Sequence, residues 1–120
     1  MSLLWVADSF YIGVRDVAAA SSWYIEKLGL KKTTIKMDEG EGCVALVFPK
    51  EIPTPIVLGP LRAETDGTTP MLYSSNIKKA KDWLVSRRVN VGEVLQDRQG
   101  THYFELRDLE GNAIEVSEEP

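Results

Sequence analysis

The sequence predicts an α+β fold of two βαβββ modules. The two halves match at an offset of 60 residues. Each half opens with a short alternating strand and an N-capped amphipathic helix, and three short strand-like runs then follow, separated by turn residues. At that offset Ser9 falls on Thr69, Ile12 on Leu72, Asp16 on Asn76, Val17 on Ile77, Ala20 on Ala80, Trp23 on Trp83 and Tyr24 on Leu84.

Each element has a local reason. In the first strand Phe10, Ile12 and Val14 share one face, and Ser9, Tyr11 and Gly13 share the other. Asp16 suits the N-cap, where a short polar side chain accepts from free backbone N–H groups. Val17, Ala20, Tyr24 and Leu28 then recur at helical spacing, and Gly29 suits the left-handed position that ends a helix. Leu30–Met37, rich in Thr and Ile, reads as the second strand and Cys43–Phe48 as a buried third. Pro49, Pro53 and Pro55 break the chain before a short fourth strand, Ile56–Leu58. Residues 60–68 read as a polar linker.

The second half repeats the order: Met71–Ser74, a helix capped by Asn76, then Val91–Gln96, His102–Leu106 and Ala113–Val116. Ile77, Ala80, Trp83 and Leu84 mark the buried face of that helix, and Arg87 and Arg88 sit where its dipole favours cations. Asp108–Asn112 reads as a tight turn, with Gly111 or Asn112 at positive φ. One domain thus spans residues 1–120, with modules at 8–59 and 69–118; Met1, Ser2 and Leu3 receive no structural role.

Bulk composition narrows the function classes. With 43% hydrophobic and 27% charged residues, the chain can build a core without disulfide or metal staples. No apolar run is long enough for a transmembrane helix, and the N-terminus lacks the basic region and cleavage site of a secretory signal, so no membrane partner is expected. The single cysteine, Cys43, cannot form an internal disulfide and stands in an apolar run, which points to a small buried hydrophobe in a cytoplasmic protein. Residues 1–60 carry six basic and seven acidic side chains and residues 61–120 eight and eleven, giving a net charge of −4. There is no basic stripe, so nucleic acid is not an expected partner. Lys78, Lys79, Lys81, Arg87 and Arg88 lie between apolar positions of the second helix and read as its solvated face.

Three segments resemble one family. SFYIGVRDVAAASSWYIEKLGL is similar to the opening strand and helix of the vicinal oxygen chelate superfamily, the glyoxalase, bleomycin-resistance and dioxygenase group, through its Val-x-Asp, its Trp23-Tyr24 pair and its Leu28-Gly29. YFELRDLEGNAIEV resembles that family's closing hairpin, with Leu109 where the family places proline. MLYSSNIKKAKDWL is a weaker match between them. The resemblance implies the glyoxalase/bleomycin-resistance fold, two βαβββ modules forming curved mixed sheets around a cavity, with a small organic ligand as partner and homodimers that commonly pair modules between chains.

Enzymatic members of the family hold a divalent metal with one residue from each of four strands. Carried over, those positions fall on Ser9, on Thr69, within Ile56–Leu58 and on Glu115. Hydroxyls and apolar groups are poor ligands beside imidazole or carboxylate, so Glu115 is the one credible ligand and no metal cofactor is expected. His102, the only histidine, alternates with Phe104 and Leu106 and so lies off the face of Glu115. No Ser-His-Asp or Cys-His set and no Gly-rich phosphate loop can be assembled, and catalytic residues stay unassigned.

On the fold that the resemblance implies, strand alternation selects a pocket wall of Ser9, Tyr11, Gly13, Thr69, Met71, Tyr73, Tyr103, Glu105 and Glu115. Aromatic, hydroxyl and acidic groups together suit an organic ligand with planar and cationic parts. Three readings remain at this level: a metal-free binding protein that sequesters an antibiotic or similar ligand; a metal-dependent lyase, isomerase or dioxygenase; and a domain without small-molecule activity.

Overall fold

The computed structural model describes residues 3–33, 42–49, 54–61 and 69–119. Module 1 comprises β1 (Phe10–Val14), α1 (Val17–Leu28), β2 (Lys31–Lys32), β3 (Val44–Val47) and β4 (Ile56–Pro60). Module 2 comprises β5 (Met71–Ser74), α2 (Ile77–Ser86), β6 (Asn90–Val91), β7 (Leu95–Gln96), β8 (His102–Arg107) and β9 (Ala113–Glu118). The sheets run β1-β4-β3-β2 and β5-β9-β8-β6, with β7 also on β8. Each is open and mixed. The first and last strands of a module pair in parallel, Tyr11 beside Val57 and Met71 beside Glu115, and the other pairs are antiparallel.

The predicted caps form. Asp16 accepts from the Ala19 N–H and Asn76 from the Lys79 N–H, each at 3.0 Å. Gly29 ends α1 at φ 80°, and Gly111 takes the positive φ, 85°, in the closing turn. Trp23 and Trp83 are each the seventh residue of their helix and pack half-buried against the core. One strand expectation is corrected. Val91–Gln96 is not continuous: Val91 faces Leu106 but Leu95 faces Tyr103, so three residues oppose two in a β-bulge around Gly92. Of Leu30–Met37, Lys31–Lys32 pair with β3 and Thr33 still donates to Ala45, while residues 34–37 lie outside the described set. So do residues 62–68 of the linker, and Pro60 belongs to β4.

Both sheets turn their helix-bearing faces to one shared core that includes Ile12, Tyr24, Leu28, Leu58, Leu72, Leu84, Phe104 and Val116. The repeat shows in how the helix ends meet. Lys27 Nζ donates to the Arg87 carbonyl at 2.8 Å, and Arg87, its counterpart at the same offset, donates to the Glu26 carbonyl at 2.6 Å. Each helix C-terminus therefore receives a cation from the other module, which the exposed carbonyls there favour. The closing turn adds an asymmetric tie. The buried Tyr24 hydroxyl donates to Asp108 at 2.6 Å, and Asp108 also accepts from the amides of Glu110 and Asn112 and from the Asn112 side chain. Glu110 accepts from the amides of Arg15 and Asp16, just before α1.

Candidate functional site

Because helices and core occupy the space between the modules, the opposite face of each sheet looks away from the core. The side chains expected to line a pocket lie on these outer faces, on two separate sheets.

On module 1, Tyr11 and Gly13 share the outer face with Ala45, Val57 and Gly59. Exposed Ser9 donates to the Pro55 carbonyl at 2.6 Å, and the Tyr11 hydroxyl donates to the Pro60 carbonyl. Both polar groups are thus committed to carbonyls at the two ends of β4. The Tyr11 ring lies across Gly59 so closely that a side chain there would collide with its hydroxyl and meet Cys43 Sγ at 2.7 Å. Val47, Val57 and Gly59 are buried, and the two valines stand apart from the shared core.

Module 2 presents a different wall. One row crosses the sheet as Met71, Glu115 and Glu105, and the next as Tyr73, Ser117, Tyr103 and Leu95. Met71 is 37% exposed and Leu95 51% exposed, values far above those of core residues. The bulge at Gly92 is what sets Leu95 opposite Tyr103 on this face. Thr69 is exposed just before β5 and belongs to neither row.

Glu115 is half-buried between Met71 and Glu105. Partial desolvation, then the Glu105 carboxylate, then Asp97, hold its carboxyl above the ordinary carboxylate range. Arg107 pairs with Glu105 at 2.9 Å, and among the described residues Glu115 has no ion pair. On the helix side of the same strands His102 faces Glu118: the His102 amide and Nδ1 both lie 2.9 Å from its carboxylate. The amide hydrogen bond, ahead of the ring contacts, lowers the Glu118 carboxyl. The histidine therefore has a carboxylate partner that sequence reading did not find, away from Glu115 as alternation indicated.

Reading by strands also missed Trp5. Leu4-Trp5-Val6 alternates, and the segment pairs with the edge of β5: Trp5 and Tyr73 exchange both backbone hydrogen bonds, at 3.0 and 2.8 Å. Leu4 and Val6 enter the core while the Trp5 ring stacks on Tyr73, with centroids 4.9 Å apart and planes at 30°. Its indole N–H reaches across β5 to Glu119 at 2.7 Å. Alternation around Leu4 and Val6 was the available signal.

The residues at the metal positions do not fit a divalent ion. Ser9 is engaged with a carbonyl, Thr69 offers only a hydroxyl, Val57 sits where the first module would supply a donor, Glu115 is a single carboxylate, and no three His, Cys, Asp or Glu side chains cluster among the described residues.

The model of the Glyoxalase/Bleomycin resistance protein/Dioxygenase superfamily matches residues 3–116. A solved member of that superfamily from Sphaerobacter thermophilus is 25% identical, with TM-score 0.75 over 94% of this chain and 96% of the other. An antibiotic binding protein, TnmS3, from Streptomyces sp. CB03234 is 19% identical with TM-score 0.75, covering 95% of each chain. A lactoylglutathione lyase from Agrobacterium tumefaciens is 18% identical with TM-score 0.69, covering 94% of this chain and 92% of the other. The last two likenesses are of fold alone. No curated protein matches in sequence. No helix among the described residues is long and apolar enough to cross a membrane.

Proposed function

The chain belongs to the Glyoxalase/Bleomycin resistance protein/Dioxygenase superfamily, and on that premise we propose that it binds a small organic molecule without a metal, on the outer wall of module 2. One observation carries this: Glu115, held half-buried beside a second carboxylate and flanked by Met71, Tyr73 and Tyr103. Like charges directly opposite on a sheet are destabilising, and a partly desolvated carboxylate is costly without a partner. A ligand donor or cation arriving there removes both costs. The antibiotic binding neighbour supports sequestration as the biological use.

The same proposal makes the protein a cytoplasmic homodimer. Two outer faces turned away from the core leave room for the wall of module 1 in one copy to close over the wall of module 2 in another, which would bring Ser9 and Tyr11 of the first copy to the ligand on the second, beside the exposed Thr69 there. Light scattering at micromolar concentration should give about twice the 13.4 kDa chain mass; a monomer over a wide range removes this part.

A thermal-shift panel of organic compounds tests the function. A ligand that binds only the folded state must raise the melting temperature with concentration, and Glu115→Gln or Tyr103→Leu should abolish the shift. Metal analysis on protein purified without chelators should find no stoichiometric divalent ion. Bound metal at Glu115, or a panel without a hit that depends on these residues, would overturn the proposal.

A further inference from the structure

One edge of the second sheet is unlike the others among the described residues. The β5 edge is closed by the Trp5 segment, which exchanges two backbone hydrogen bonds with Tyr73. The β2 edge presents Lys31 and Lys32, both exposed, and charges of that kind discourage further pairing. Every residue of β1 is half-buried or buried, and β6 lies against α2. β7 has none of these protections. It pairs with β8 alone, residues 92–100 are all exposed, and the apolar Val94 and Leu95 are 36% and 51% exposed.

The direction of its backbone groups follows from the ladder. The Asp97 amide donates to the Thr101 carbonyl at 2.9 Å, so Asp97, and likewise Leu95 opposite Tyr103, turn their N–H and C=O groups toward β8. Val94 and Gln96 therefore turn theirs outward. The His102 amide agrees: it points away from Gln96 and donates to Glu118 on the other side. Glu93 and Asp97 stand two residues to either side of Leu95, on the same side of the strand by alternation. Neither has an ion pair among the described residues. Asp97 accepts from the Gln99 and Thr101 amides, and its charge is felt by both Glu115 and Glu118. Arg98 lies beyond it, in the turn.

Those carboxylates decide what can add to the edge. A second copy paired antiparallel about Leu95 would set Glu93 opposite Asp97 twice, and like charges directly opposite are destabilising. A strand with cations at those two places gains where a copy loses. We propose that the β7 edge docks an extended segment of a partner protein with a basic–apolar–basic pattern. The segment adds antiparallel, its apolar side chain beside Leu95 and a Lys or Arg two residues to either side, facing Asp97 and Glu93. The site is the edge of the strand and does not depend on the ligand wall.

The probe is the fluorescein-labelled peptide Thr-Lys-Thr-Val-Thr-Lys-Thr, titrated into the full chain and followed by anisotropy. It should bind with saturation, and the same peptide with Glu in place of both Lys should bind at least about tenfold weaker. Methylating the backbone nitrogens of the two Thr beside Val removes the donors that meet the outward carbonyls of Val94 and Gln96. It should weaken binding by about tenfold or more. Val94→Pro removes an outward N–H but no bond to β8, so it should weaken the peptide by about tenfold with the melting temperature nearly unchanged. In case that substitution disturbs the bulge, Glu93→Lys gives a second measurement. It should weaken the Lys peptide and strengthen the Glu peptide, each by about threefold or more, and a loss of fold cannot strengthen either.

No saturable binding up to about 1 mM overturns the proposal. So does a methylated peptide that binds as well as its parent, since charge alone would then hold it, or a Glu93→Lys variant that moves both peptides alike. A lower mass for Val94→Pro than for the unaltered protein by light scattering would assign the edge to a second copy, and that too overturns it.

Discussion

The outer walls of the two modules descend from the same strand pattern and have become opposites. Across β1, β4 and β3 the central row reads Tyr11, Val57 and Ala45; across β5, β9 and β8 the equivalent row reads Met71, Glu115 and Glu105. Apart from Tyr11 the first wall is short-chained, with Val57 and Gly59 buried, and its hydroxyls are directed at its own proline carbonyls. The second is charged and aromatic, and apart from Ser117 it is half-buried to exposed. One scaffold position therefore serves as packing in one repeat and as chemistry in the other. A repeat fixes where a side chain points, and its identity decides what it does there.

The largest expected effect comes from forcing the chemistry of one wall onto the other. Val57→Glu places a carboxylate at a position only 2% exposed, and without a partner it should cost about 4 kcal/mol or more, read as failure to fold or a sharply lower urea midpoint. A modest loss would show that the first wall is less sealed than its burial implies. Next comes Gly59→Ala, whose new methyl would collide with the Tyr11 hydroxyl and crowd Cys43 Sγ. We expect about 2 kcal/mol of destabilisation by denaturant unfolding. Gly92→Ala, where the nearest atom stands 3.4 Å away, should cost clearly less.

The modules also differ where they meet. Tyr24 and Asp108 form a buried hydrogen bond, whereas the positions equivalent to them at the 60-residue offset are Leu84 and Phe48, both buried. Burial first, then Asp108, hold the Tyr24 hydroxyl protonated far above the usual tyrosine range, so it acts as a donor at any ordinary pH. Tyr24→Phe should cost about 1.5 kcal/mol, because Asp108 loses the one module 1 partner it has among the described residues. A near-zero change by chemical denaturation would mean that the turn hydrogen bonds alone hold Asp108.

The smallest effect has the opposite sign. Glu115→Gln removes the like charge facing Glu105 and should raise stability at pH 7 by about 0.5 kcal/mol, while weakening a cationic ligand by about 1–3 kcal/mol. Because the folded state raises the Glu115 carboxyl, it binds more protons than the unfolded chain above the ordinary carboxylate pKa, and stability falls as pH rises through that interval. The advantage of the variant should therefore vanish at pH below the unfolded value. Glu118 runs the other way: its lowered carboxyl contributes stability above the ordinary value, lost as pH falls through the folded one. Stability curves of Glu115→Gln and Glu118→Gln against pH should diverge in sign; parallel curves would erase the contrast between the two faces of module 2.

By itself the sequence determined what depends on neighbours a few residues away. Asp16 and Asn76 as caps, Gly29 at the left-handed helix end, the buried stripes of both helices and the split of the first strand into Phe10, Ile12 and Val14 on one face and Tyr11 and Gly13 on the other all follow from local hydrogen bonding and from periods of 3.6 and 2. The tertiary structure alone decided the rest. Nothing local says that the helix-bearing faces join in one core and leave the outer walls apart, that a bulge at Gly92 brings Leu95 onto the wall, that His102 finds Glu118, or that Trp5 crosses β5 to Glu119. These contacts join residues far apart in the chain, and period-2 alternation gives the side of a sheet on which a residue lies but not what will be packed against it.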